Sequence, residues 1–147
     1  MRIWKTEVNL EKIYERCRNT MIDYIGIELV EIGDDYLKGR MPVDHRTKQR
    51  IGILHGGASA VLAETLGSIA ASLCVDPETK RIVGLEINAN HIRPVTAGYV
   101  TGIARPLHIG STTQVWEIHI SDDRDKLVCV SRLTIANIDK GKIQGAS

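Results

Sequence analysis

Between Gly56 and Cys74 the chain runs through Gly-Gly-Ala-Ser-Ala-Val-Leu-Ala-Glu-Thr-Leu-Gly-Ser-Ile-Ala-Ala-Ser-Leu-Cys, and Glu64 is its one charged side chain. Ala58, Val61, Leu62, Leu66, Ile69, Ala70 and Leu73 recur at helical spacing, which predicts one long helix over five turns. A helix so poor in charge is expected to be buried almost all round. No uninterrupted apolar run approaches the roughly 20 residues of a membrane span, so the helix needs walls of protein. The rest of the chain has to supply them.

The segments on either side read as strands. Residues 27–32 and 36–42 alternate about Gly33-Asp34-Asp35, the pattern of a β-hairpin. After the helix, strands are expected at about 82–91, 98–106, 112–121 and 127–136, with breaks short enough to favour an antiparallel meander. Asn9 to about Asp23 reads as a short amphipathic helix capped by Asn9, and Val43 to Gly52 as a polar loop. The order is helix, two strands, one long helix, four strands. An α+β fold follows, with an antiparallel sheet curled around the helix and another subunit covering what remains. At 147 residues the chain is one domain's worth, assigned to 1–138 with a polar tail over 139–147.

Charge and cysteine usage exclude several classes. The net charge of +1, from 19 basic and 18 acidic residues, provides no overall field for nucleic acid or a membrane surface. The start, Met1 to Glu7, mixes charges and lacks the apolar stretch of a secretory signal. Cys17, Cys74 and Cys129 are odd in number and far apart, as expected of reduced, buried thiols in a cytoplasmic protein. Cys74 closes an apolar helix and Cys129 lies in Leu127-Val128-Cys129-Val130, so neither reads as an activated nucleophile. His45, His108 and His119 read as surface or packing residues, and no cluster resembles a zinc site. Neither a metal nor an organic cofactor is called for.

Glu64 is the residue that needs explaining. Its neighbours on the same helical face, Ala60, Gly67, Ser68 and Ala71, are all small, and no Lys or Arg lies within a turn. Such a stripe lets another backbone approach or leaves space at the carboxylate. A buried unpaired carboxylate costs several kcal/mol, which favours function over accident. Ser68, one turn on, could fix the carboxylate rotamer. At the start of the helix, His55-Gly56-Gly57 places free backbone N–H groups at the positive end of the dipole, a donor for a developing oxyanion. Glu64 lies about two turns away, roughly 11 Å along the axis. One helix cannot bring both groups to one reacting centre, so donor and carboxylate must meet across two subunits.

Gly52-Ile53-Leu54-His55-Gly56-Gly57-Ala58-Ser59-Ala60-Val61-Leu62-Ala63-Glu64 resembles the signature of hotdog-fold thioesterases of the phenylacetate-pathway and 4-hydroxybenzoyl-CoA type. Met41 to Asp44, Arg46 to Gln49, Gly84 to His91 and Pro106 to Ser111 extend the resemblance over almost the whole chain. They bring it nearest the bacterial branch that acts on aryl-CoA or 1,4-dihydroxy-2-naphthoyl-CoA, alongside the enterobactin-pathway proofreading enzymes. The resemblance implies an acyl-CoA thioesterase, with menaquinone biosynthesis as its setting, acting as a homo-oligomer built as a dimer of dimers with sites at subunit interfaces.

By the same resemblance Glu64 is the catalytic nucleophile or general base and the Gly56 N–H the oxyanion donor. Gln49 contacts the carbonyl or the attacking water, His55 lies near the thioester, and Ser68 partners the carboxylate or the water. His91, Arg93, Gly57, Gly110 and Ser111 fall near the CoA arm or its phosphates. Some relatives carry a basic residue after that serine, where this chain has Thr112, which shifts the phosphate role toward Arg93 and Arg105. The rival readings are a hotdog hydratase or dehydratase, whose His and acid motif is not found, a non-catalytic acyl-CoA-binding module, and an interaction-only protein.

Overall fold

A computed structural model of the chain describes residues 1–143. Its elements are α1 (Leu10–Arg16), α2 (Met21–Tyr24), β1 (Glu28–Ile32), β2 (Leu37–Pro42), α3 (Gly56–Leu73), β3 (Lys80–His91), β4 (Tyr99–Ile109), β5 (Thr113–Ser121), β6 (Leu127–Asp139) and α4 (Lys140–Ile143). The strands form one six-stranded antiparallel sheet in the order β1-β2-β4-β5-β6-β3. The long helix α3 packs against it, which is the hotdog arrangement. The tail expected at 139–147 begins as the last residue of β6 and passes into α4, and residues 144–147 lie outside the described residues.

Two expectations change. The segment from Asn9 to Asp23 is two helices rather than one. Asn9 does cap α1, accepting from the Lys12 N–H, but Asn19 takes a left-handed conformation with φ 59° and breaks the helix. Thr20 then starts α2. Nor are the last four strands a simple meander. Only β4, β5 and β6 follow one another, while β3 crosses to the far side of β6 and becomes an edge.

The core explains why α3 sits where it does. Leu62, Ala63, Leu66 and Ala70 are wholly buried, facing Leu37, Met41, Trp116, Ile118 and Leu133 from the sheet. Gly39 of β2 and Gly102 of β4 are register partners, and a Cβ at either would lie under 3 Å from a Leu66 methyl. The two glycines open a slot in the sheet that Leu66 fills, so helix and sheet approach closely at this point. Gln114, also wholly buried, ties the far end of α3 down. Its amide donates to the Ala71 carbonyl (3.2 Å) and to Asn137 (2.9 Å), and accepts from the Trp116 indole (2.9 Å).

Burial of α3 is one-sided in the chain alone, contrary to the all-round burial its composition predicts. Gly57, Glu64 and Ser72 are exposed, and Ala60, Val61 and Ser68 only half-buried. The sheet curls over one face of the helix, and among the described residues the other face is covered only in part.

Candidate active site

The loop before α3 is pinned at both ends. Thr47 is buried and donates its hydroxyl to the Pro42 carbonyl (2.7 Å), while its own carbonyl accepts the His55 N–H (2.8 Å). Asp44 accepts from the Arg46 side chain (2.8 Å) and backbone (2.9 Å), and these bonds hold its carboxyl down to about 2. A tight turn closes between Gln49 and Ile53, through bonds from the Gln49 N–H to Ile53 (2.9 Å) and from the Gly52 N–H to Gln49 (2.9 Å). Gly52 has φ +88°, a conformation that glycine takes without steric cost. The Ile51 N–H donates to the Gln49 amide oxygen (2.7 Å) and fixes the side chain. The Gln49 amide NH2 has no partner among the described residues.

His55 caps α3. Its Nδ1 accepts the Gly57 N–H (2.8 Å), so in the neutral ring the proton is on Nε2. The Ala58 N–H donates to the His55 carbonyl (3.0 Å). Among the described residues this leaves Gly56 with the one unmet N–H of the first three in the helix. Beside it stands the His91 imidazole, at the end of β3. A Cβ on residue 56 would come within 2.7 Å of His91 Nε2, so the contact needs glycine.

Gln49, His55, Gly56, His91 and Arg93 border one open cavity of about 940 Å³, with Arg50 at its rim. The structure thus gathers five of the residues singled out from the sequence. It sets the others apart. Glu64 and Ser68 lie further along the open face of α3, and no hydrogen bond joins them among the described residues. Glu64 is exposed rather than partly desolvated, because it projects from the side of α3 that the sheet leaves bare. Its Oε1 lies above Gly84 of β3, where a Cβ would be 3.1 Å away. It has neither hydrogen bond nor ion pair among the described residues. Gly57 borders a smaller cavity on the other side of His55. Gly110 and Ser111 line a third, at the opposite end of α3, where the Asn137 amide donates to the Gly110 carbonyl (2.9 Å). Arg105 pairs with Asp35 (2.9 Å) and stacks over Tyr36, away from all of these.

The thiols behave as expected from sequence. Cys17, Cys74 and Cys129 are free and buried, and desolvation pushes each thiol up, Cys74 to about 11. None is poised to attack. Sequence reasoning missed Arg50 and Ser59, which line the large cavity, and Gly84 beneath Glu64. Gly84 did leave a signal: an isolated glycine in a strand marks a bulge or a close approach, and the β3 register shifts between Gly84 and Glu86. No helix among the described residues is long and apolar enough to cross a membrane.

Residues 51–129 match the thioesterase superfamily. The 1,4-dihydroxy-2-naphthoyl-CoA hydrolase of Escherichia coli is 52% identical over 91% of this chain and 98% of its own length. The proofreading thioesterase EntH of Cronobacter turicensis is 47% identical over 91% of this chain and 97% of its length. A crystal structure of a Haemophilus influenzae thioesterase superposes with a TM-score of 0.91 at 49% identity, covering 93% of this chain and 95% of that one.

Proposed function

The chain belongs to the thioesterase superfamily, and from that premise we propose that it hydrolyses acyl-CoA to the free acid and CoA, using groups from two subunits. The observation that carries this reading is the unmet Gly56 N–H at the positive end of α3, beside the free amide of Gln49. Both donors border the same cavity, and a thioester carbonyl is an acceptor they would fit. Glu64 of the same chain is about two turns away, at 1.5 Å per residue, so the carboxylate at each site comes from the partner. Two α3 helices crossing antiparallel near Ala60 and Val61 would set Gly57 opposite Glu64. Of the small residues expected beside Glu64, Gly67 and Ala71 are buried against the sheet, and Gly57, Ala60 and Ser68 on the open side leave room for that approach. The free edge of β3, with Val83 and Leu85 exposed, offers the sheet a place to continue into a second copy.

In this assembly Glu64 either adds to the carbonyl carbon or takes a proton from the water that does. The oxyanion forms against the Gly56 N–H and the Gln49 amide, with the helix dipole behind it. The C–S bond then breaks, and CoA leaves as a thiolate, since thiols ionise near 8.5 and need no strong acid. Where Glu64 itself has added, water then hydrolyses the acyl-Glu64 anhydride, releasing the free acid and restoring the carboxylate. His55 orients the first turn, and Ser68 steadies the incoming Glu64. His91 and Arg93 meet the CoA arm; Gly57, Gly110 and Ser111 complete its path from other faces of the assembly. Aryl-CoA is the proposed substrate class: the 1,4-dihydroxy-2-naphthoyl ester is in the name of a relative, while benzoyl-type esters and menaquinone biosynthesis as the setting come from the family resemblance. A homotetramer, as a dimer of dimers, comes from the family resemblance, and the three unpaired thiols fit a cytoplasmic location.

Thiol release from a panel of CoA esters, with wild type and Glu64→Ala side by side, tests the proposal. Release from aryl esters by wild type, lost in the variant, is expected. Tight ester binding without release by wild type would make the protein an acyl-CoA-binding module instead.

A further inference from the structure

α3 and β3 approach each other at two points where a glycine on one element makes room for a side chain of the other. Gly56 of the helix receives the His91 ring, and Gly84 of the strand receives the Glu64 carboxylate. Gly84 and His91 are seven residues apart, so in an unbroken strand they would face opposite sides of the sheet. They face the same side because β3 carries an extra residue. Its pairing with β6 runs in step from Lys80↔Asp139 to Gly84↔Ile135 and resumes, shifted, at Glu86↔Thr134, which leaves Leu85 without a partner in the ladder. Burial follows the shift. Ile82 packs against the core before the bulge, and Ile87 and Ala89 do so after it.

The backbone does not ask for glycine at 84. Its φ lies outside the left-handed region, and apart from its chain neighbours a Cβ there would meet one atom within 4 Å, Glu64 Oε1 at 3.1 Å. An alanine would therefore fit the strand and crowd only the carboxylate, which has no hydrogen bond or ion pair among the described residues. The contact also has a direction. β3 is an edge of the sheet, and a carboxylate lying over it reaches toward the side on which a second copy would continue that sheet. A strand that pairs with its own twin about a two-fold axis runs antiparallel to it. In such a pair the Gly84 end of one β3 lies toward the other end of its twin, where the partner's His91 stands beside Gly56 of the partner subunit.

We propose that Gly84 is a positioning residue for the reaction: its bare Cα is the seat that holds Glu64 low over the edge strand, aimed at the partner's Gly56. This rests on the two-subunit hydrolase reading given above. Gly84→Ala tests it. The variant should keep the sedimenting mass of wild type and unfold at the same temperature or higher, since alanine at a compatible backbone position restricts the unfolded chain. Its kcat on aryl-CoA should nevertheless fall by about tenfold or more, toward the 10²-fold that a misplacement of about 1 Å costs, with KM little changed. Shortening the acid should relieve the crowding. Glu64→Asp, which should slow the wild-type enzyme, should slow the Gly84→Ala enzyme much less, or speed it.

A Gly84→Ala enzyme as fast as wild type, or losses that simply multiply in the double variant, would overturn the seat and leave the hydrolase reading intact. So would a loss of rate that tracks lowered stability or dissociation, which would place Gly84 in the fold alone. No hydrolysis of any ester by wild type would instead overturn the hydrolase reading, and the role proposed for Gly84 with it.

Discussion

The two faces of α3 differ in almost every respect. The inner face carries Leu62, Ala63, Leu66 and Ala70 at zero exposure, locked into a sheet whose glycines are spaced to receive them. The outer face carries Gly57, Ala60, Glu64, Ser68 and Ser72, small or polar and exposed or only half-buried among the described residues. The inner face needs no partner and does no chemistry. The outer face holds the proposed chemistry and is complete only with a second copy. Fold and function are thereby divided between opposite sides of one helix, and substitutions on the two sides should fail in different ways.

The largest effect should come from the outer face. Glu64→Ala should lower kcat by about 10²–10⁴-fold, the range for loss of a general acid or base, with an unchanged thermal unfolding curve. A stable variant that keeps more than about a tenth of the activity would remove Glu64 from the mechanism. On the inner face, Leu66→Ala should cost about 2–5 kcal/mol in denaturant unfolding, because the slot between Gly39 and Gly102 cannot collapse around a smaller side chain. Its rate per folded molecule should stay near wild type. If that rate fell with stability, the two faces would not be separable.

His55→Ala joins the two classes. Loss of the cap on Gly57 should cost about 0.5–2 kcal/mol, and the freed N–H should also disturb the oxyanion donor beside it. The smallest effect concerns Asp44. Its carboxyl is held below the ordinary value of about 3.9 by Arg46, so its contribution to stability is full above that pH and is lost as pH falls toward 2. Acid titration of unfolding should be flatter over that window in Asp44→Asn. A parallel curve would mean the Asp44–Arg46 pair adds nothing to the loop.

The division also explains what could be read from the sequence. Leu62, Leu66 and Ala70 announce the inner face by periodicity, and the strands follow from alternation and turn residues. Glu64 stands out because it breaks the apolar pattern, and Gly56 because glycines precede it. The bend at Asn19 did leave a signal, since asparagine is one of the few non-glycine residues that turns left-handed at a helix end, but the amphipathic pattern running past it to Asp23 masked it. The path of β3 was hidden for another reason: local pattern marks strands but does not choose between edges of a sheet. Gln114 and Asn137 sit in strands where alternation alone reads them as ordinary positions, yet their bonds to each other and to Ala71 secure the far end of α3. The cavity beside Met21 is built from α2, the loop and α3, and only the folded chain brings those together.

In the proposed assembly each site takes its donor from one subunit and its carboxylate from another. Glu64→Ala and Gln49→Ala, each nearly inactive alone, should be dissociated, mixed and reassembled. If the groups come from different chains, half of the assembled pairs contain one intact site, and the mixture should recover about a quarter of wild-type thiol release. If mixed assemblies form and no activity returns, both groups serve the same chain's site, and the shared-site account is wrong.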